Sequence, residues 1–368
     1  MNFKLYRSDM VEEASRVQRG CNPILETLLF IVIFFICQVA LGVLIGIPIA
    51  GYSMYLGVME AAGGAAADPS VLLEKINRIT LVLMLYGELF CIFINLGLCR
   101  WLQKRKAWTL GFKKRNWLKE YGIGMAAGLA MMTAVVLPAW AIGALKLSVD
   151  PALGTLDSSL MLLVLFIGFL FQGMCEEVLC RGYFLNSLAR RKGNMWMAIV
   201  VSAIVFAALH LANPGMTPLS FLNLTLFGVF AGIYFVKRGD LWGIGALHSL
   251  WNFAQGNIWG VAVSGNDFGA SVFRCQVSEN MTLLNGGSFG LEGGLLVTIL
   301  LIVCSLILLR LPQKDAAPAA AAASPALSAD ADLHAVPEAE PAQPQEISMA
   351  EESSDAGETG GDPGEADV

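Results

Sequence analysis

Eight apolar blocks, each about as long as a bilayer is thick, occupy most of the first 310 residues, near 24–50, 79–99, 121–145, 160–189, 195–212, 218–236, 241–262 and 289–309. A helix rises about 1.5 Å per residue and the hydrocarbon core is about 30 Å thick, so some twenty apolar residues are needed to cross it. A soluble core helix is usually shorter and apolar on one face only. Composition agrees: 56% of residues are hydrophobic, 15% are charged and the mean hydropathy is +0.62. The expected fold is therefore all-α, a polytopic transmembrane bundle of about eight helices. The first nineteen residues have scattered charges and no convincing cleavage site follows, so the first block reads as a retained helix rather than a signal peptide.

The net charge of −6 conceals two unlike parts. From Asp315 onward there are thirteen acidic residues and no Lys or Arg, so the preceding chain holds 24 basic against 17 acidic residues. The Ala-, Pro- and acid-rich stretch beyond Lys314 has too little apolar surface to fold, which predicts a disordered acidic tail. With the N-terminus inside, nineteen basic residues fall in cytoplasmic segments and four, Lys75, Arg78, Lys146 and Arg274, in external ones. This bias predicts cytoplasmic termini, with the plasma membrane as the expected location. The expected organisation is a cytoplasmic segment 1–22, N-terminal transmembrane helices 23–154, a core 155–262, an external loop and last helix 263–312, and the tail 313–368.

The basic, Trp-containing loop from Arg100 to Glu120 reads as an interfacial anchor beside anionic headgroups, and its position argues against nucleic-acid binding. Eight cysteines are present without any CxxC pair. That spacing argues against a disulfide framework or a zinc knuckle and leaves them as small apolar filler.

Ionisable and amide side chains inside the blocks carry the functional signal, because a charge at the bilayer centre costs about 2.5–3.5 kcal/mol even on insertion scales. They are Glu88, Glu176, Glu177, Arg181, His210, His248 and Asn252, with Asn95, Gln255 and Asn257 as weaker candidates. Taking Lys192–Gly193–Asn194 as the tip of a helical hairpin, Glu176 and His210 lie equally far from it and can face one another. The separation is long, and a tilted or broken helix, or a tip outside the headgroups, is expected to keep the site reachable from the cytoplasm. His248 and Asn252, at i, i+4, share a helix face. Glu177 and Arg181 have the favourable acid-first i, i+4 spacing for an ion pair, which leaves Glu176 free. Glu176 with His210 can deprotonate a water; His248 and Asn252 can donate to the oxyanion formed when that water attacks a peptide carbonyl.

The motifs Glu176-Glu177-Val178-Leu179-Cys180-Arg181, Phe206-Ala207-Ala208-Leu209-His210 and His248-Ser249-Leu250-Trp251-Asn252 match EExxxR, FxxxH and HxxxN in order. In them the chain resembles the CPBP family of intramembrane proteases, which includes CAAX prenyl endopeptidases and bacteriocin-processing or self-immunity proteins. The resemblance covers roughly residues 155–260. It implies an intramembrane endopeptidase in which Glu176 and His210 activate water, His248 and Asn252 stabilise the oxyanion, and Glu177, Arg181 and Phe206 shape the site. It also implies a membrane-associated, prenylated or leader-peptide substrate. Glu176, His210 and His248 are candidate ligands for a divalent metal such as zinc, while a metal-free glutamate mechanism uses the same residues, and the sequence leaves both open. Two other functions fit a chain of this type: a non-catalytic membrane adaptor or immunity factor, and a proton-coupled transporter using Glu88 and Glu176. The transporter gains no support from an internal repeat.

Overall fold

Each of the eight apolar blocks contains a helix, and one end of the bundle carries a small sheet. The computed structural model describes residues 5–17, 22–62, 69–191 and 194–314. The hairpin tip Lys192–Gly193 and the acidic tail from Asp315 lie outside the described residues. In chain order the elements are α1 (Asp9–Ser15), α2 (Pro23–Ala61), α3 (Pro69–Gly97), α4 (Trp117–Ala141), β1 (Leu145–Val149), α5 (Leu156–Glu177), α6 (Asn186–Ala189), α7 (Met195–Ala208), α8 (Pro218–Arg238), α9 (Trp242–Phe253), β2 (Phe273–Val277), α10 (Thr282–Asn285) and α11 (Leu295–Arg310). Between α5 and α6 the helix continues in π-helical form over Val178–Leu185, and α9 ends in a π-turn over Ala254–Ile258.

Five helical stretches are long and apolar enough to cross a bilayer: Pro23–Met59, Lys75–Leu102, Trp117–Ala141, Leu156–Ala189 and Pro218–Arg238. Helices α7 and α11 are apolar but shorter. The stops of the shorter helices are local. Helix α7 ends just before a turn that contains Pro214 and Gly215, and Gly239 takes the left-handed conformation (φ 70°) that ends α8 and starts the sharp return into α9.

Helix α9 is held unusually close to its neighbours. Gly124 and Gly128 of α4 lie against the backbone at Gly243 and Leu247, where an added Cβ would collide with carbonyl oxygens. On the other side Gly173 of α5 lies against Ser249, again with no room for a Cβ. Small residues four apart allow two helix backbones to approach in a membrane, where packing rather than the hydrophobic effect drives association. The result is that His248 and Asn252 ride on a helix clamped between α4 and α5.

The sheet was not legible as such. Strands β1 and β2 pair antiparallel, with Leu145 opposite Val277 and Val149 opposite Phe273. Both have the alternation of a half-exposed strand, "LKLSV" and "FRCQV", and they lie beyond the end of α4, where backbone groups need not be satisfied within one helix.

Charged side chains gather at the opposite end. Lys113 and Lys106 pair with Asp9 and Glu13 of α1 at 2.7 and 2.6 Å, Arg190 and Arg191 share Glu26, and Glu120 binds both Arg238 and Lys314. The Arg100–Glu120 loop is thus more than a surface anchor. Its Arg105 is buried and donates to Gln103 Oε1 at 2.8 Å and to Ser187 Oγ at 3.3 Å.

Candidate active site

The two adjacent glutamates sit where the helix changes form: Glu177 is the last α-helical residue of α5 and Val178 the first of the π-segment. A π-turn displaces the backbone ladder by one residue and frees carbonyls, and such segments are frequent at functional sites. Here outside donors meet freed carbonyls: Ser202 Oγ donates to the Cys180 carbonyl at 2.8 Å and Arg105 Nη2 reaches that of Gly182 at 3.5 Å. The helix is continuous here, widened rather than broken.

Glu177 forms the expected ion pair, Arg181 Nη1 to Oε1 at 2.8 Å, with both side chains fully buried. The same oxygen also accepts from His248 Nδ1 at 2.9 Å. Because an ionised carboxylate only accepts, Nδ1 carries the proton and Nε2 faces away from Glu177. That nitrogen stands 3.5 Å from Glu176 Oε2. The ring of His248 is further fixed by Phe227, with centroids 4.7 Å apart, and the Arg181 guanidinium lies over the Phe206 ring at 4.7 Å. Phe206 is buried between these groups and also lies 4.8 Å from the His210 ring.

His210 lines the same cavity as Glu176, which it was expected to face, without a direct hydrogen bond to it among the described residues. It follows the end of α7, and its Nδ1 donates to the Phe206 carbonyl at 2.8 Å. The carbonyl accepts, so His210 has the same tautomer as His248 and likewise leaves Nε2 uncommitted. The nearer partner of Glu176 is Gln172, one helical turn earlier, whose Nε2 donates to Oε1 at 2.6 Å. Gln172 Oε1 in turn accepts from Asn252 Nδ2 at 2.9 Å. A continuous polar chain results, from Asn252 through Gln172, Glu176, His248 and Glu177 to Arg181. Glu176 Oε2 and Asn252 Oδ1 are buried atoms without hydrogen-bond partners.

All four proposed catalytic residues line one cavity. Its wall includes Glu88 of α3, Gln172 and Glu176 of α5, Phe206 and His210, Phe227 of α8, and His248 and Asn252 of α9, around about 740 Å³ of space partly open to solvent. Asn213, Ser264, Asn266, Phe268 and Glu292 close the side nearest the sheet. Sequence reasoning missed Gln172 and Glu292. The first was signalled by its i, i+4 spacing to Glu176. The second lies at the start of the last apolar block, 289–309, where its charge was overlooked; it accepts from Trp251 Nε1 at 3.1 Å and from the Ser264 backbone N–H and hydroxyl at 2.9 and 2.6 Å. The weaker candidates do other work. Gln255 and Asn257 donate to the Ala262 and Ala270 carbonyls, tying down the loop after α9, and Asn95 bonds the Cys91 carbonyl of its own helix.

The metal reading fits less well. Glu176 and His248 are close enough to share an ion, but among the described residues Glu176, His210 and His248 do not bring three ligand atoms within 4.8 Å of one another. A zinc ion requires donors about 2.0–2.3 Å from itself, and this trio offers a two-point grip.

Residues 158–254, about a quarter of the chain, match the family model described as type II CAAX prenyl endopeptidase Rce1-like. Comparisons with curated proteins and with solved structures found no match. The matched segment begins in α5 and ends just past α9, so it contains all three motifs and the helices that carry them. The chain is thus a multi-pass membrane protein whose residues 158–254 are similar to the type II CAAX prenyl endopeptidase Rce1-like family.

Proposed function

We propose that the chain is an intramembrane endopeptidase that hydrolyses a peptide bond of a membrane-associated or lipidated protein or peptide, with Glu176 as general base. The observation that carries this reading is the unpartnered Glu176 Oε2, facing the cavity beside two imidazoles whose Nδ1 protons are already committed. A water held by Glu176 Oε2 and His210 Nε2 loses a proton to Glu176 as its oxygen bonds to the scissile carbonyl carbon. The carbonyl oxygen becomes an oxyanion that accepts from the second N–H of Asn252 and from His248 when Nε2 is protonated. Glu176 then returns the proton to the leaving nitrogen as the C–N bond breaks, giving a carboxylate and an amine. Gln172, bonded to both Glu176 and Asn252, positions base and oxyanion donor relative to one another. Glu177 and Arg181 hold the His248 ring.

The charge-rich end that holds α1, the Arg100–Glu120 loop and Lys314 is assigned to the cytoplasm of a plasma membrane, by the basic bias of its loops. In Glu176→Gln, cleavage of a reconstituted lipidated peptide should fall by about 10²–10⁴-fold, as for loss of a general base, while the protein remains monodisperse and helical. Undiminished cleavage by the folded variant refutes the assignment of Glu176. Loss of activity to a chelator, restored by added zinc, in a protein whose Cys91 and Cys175 are both changed to Ser refutes the metal-free form of the reaction.

A further inference from the structure

Three cysteines that the sequence scatters over 139 positions meet beside the cavity. Cys91 of α3 is within hydrogen-bonding reach of Cys37 of α2, of Cys175 of α5 and of Glu88, one turn earlier on its own helix. Cys175 Sγ approaches Glu88 Oε2 at 3.1 Å, and Gln38 Nε2 donates to Glu88 Oε1 at 3.3 Å. All three thiols are free and buried. Among the described residues, Glu88, Cys91 and Cys175 form the one group of three whose potential ligand atoms all lie within 4.8 Å of one another.

We propose that Glu88, Cys91 and Cys175 bind a thiophilic divalent cation of the zinc type, whose fourth position is left to a water from the cavity. Two sulfurs and a carboxylate oxygen from three turns of two helices suit a closed-shell ion that takes mixed S/O ligands in tetrahedral geometry. At Zn–S distances near 2.3 Å, tetrahedral donors stand about 3.8 Å apart, so the observed spread contracts onto an ion by side-chain movement alone. Gln38 supplies the outer contact that orients the carboxylate, leaving Oε2 turned toward the sulfurs. The carboxylate argues against monovalent copper, which favours sulfur throughout. Glu88 lines the cavity, so an ion has a polar route to the thiols without crossing lipid. Each thiol that coordinates releases one proton through that route. The site does not depend on the peptidase reading, because none of its ligands belongs to the three motifs except Cys175, which directly precedes the first. Its occupancy would convert Glu88 from an anionic wall facing Glu176 into part of a metal complex.

The test uses the full-length protein, reduced, stripped of metal and held in detergent or nanodiscs, with Co²⁺ and then Zn²⁺ as probes. One Co²⁺ per chain should produce a thiolate-to-cobalt charge-transfer band with tetrahedral visible absorption, and Zn²⁺ should bleach both. Cys91→Ser and Cys175→Ser should abolish the band and weaken Zn²⁺ binding at least about tenfold. Glu176→Gln and His210→Ala should leave the band in place. A wild-type protein that binds Co²⁺ without a thiolate band, or not at all, overturns the proposal with no variant needed. A band that survives in Cys91→Ser, or disappears in folded His210→Ala, assigns the ion elsewhere and also overturns it. Conversion of the thiols to a disulfide in the metal-free protein, with no Zn²⁺ protection against it, identifies a redox pair instead.

Discussion

Glu177 and Glu120 are both buried carboxylates that bind two basic side chains, the first with partners buried beside it and the second with partners that still reach water. Glu177 is fully buried and holds Arg181 and His248; Glu120, at the charge-rich end, holds Arg238 and Lys314, whose side chains remain about a quarter and a half exposed. At the end of the bundle, water and salt can replace a lost partner, so the network ties Lys314 and the end of α8 to α4 at little risk. In the interior nothing replaces it. Glu177 therefore does more than neutralise Arg181: it converts a charge pair into an orientation for His248. The comparison teaches that equal hydrogen-bond lists can describe a tether in one place and a ruler in another.

The largest expected effect tests the buried member. Arg181→Leu leaves Glu177 without its full partner and should destabilise the protein by about 3–5 kcal/mol, read as loss of thermal stability in detergent. The double change Glu177→Leu with Arg181→Leu should recover part of that stability without recovering cleavage, because His248 loses its anchor. Stability and activity returning together would make the pair a tether after all. Next comes the polar chain. Asn252→Ala should lower kcat by about 10²–10³-fold with the fold intact, as for loss of one oxyanion donor. Gln172→Ala should have a smaller effect on kcat, and Gln172→Glu a larger one, since it places a second carboxylate against Glu176. Equal rates in all three would detach the chain from the chemistry.

The smallest effects belong to the exposed end. Glu120→Gln, at a buried acceptor whose partners still reach water, should cost about 1–2 kcal/mol, less than Arg181→Leu, measurable as a shift in the unfolding midpoint. A loss as large as that of Arg181→Leu would erase the contrast between the two networks. Acidification probes the same end: the Lys106 ammonium, hydrogen-bonded to Glu13, holds that carboxyl below its ordinary value. A lowered folded-state value means the contact stabilises above the unfolded carboxylate range and is lost as pH falls through the folded one. Protection factors for amide exchange in α1 should therefore fall at acid pH and stay level near neutrality.

The site was legible where chemistry is written in short helical spacing. The Glu177–Arg181 pair and the shared face of His248 and Asn252 follow from i, i+4 geometry, and a charge in an apolar block needs a reason to be there. Partner choice across helices was not legible. Equal distance from a turn let Glu176 and His210 face one cavity, but it did not state that His248 is the imidazole 3.5 Å from Glu176 while the Phe206 carbonyl holds His210. The cysteines teach the same lesson from the other side: judged by local spacing they were filler, and only the packing of α2, α3 and α5 brings three of them together. Likewise the sheet depends on pairing Leu145–Val149 with a segment more than a hundred residues later, a registration that no local pattern states.

The widened turn after Glu177 makes chain length itself an element of the site. Removing a single residue from Val178–Leu185 would let the wide turn close into ordinary helix and draw the Cys180 and Gly182 carbonyls back into the ladder, away from Ser202 and Arg105. Glu176 and Gln172 would then lose the braces behind their helix, though no functional side chain had been changed. Substitutions in this stretch test packing, whereas a one-residue deletion tests the width of the turn itself.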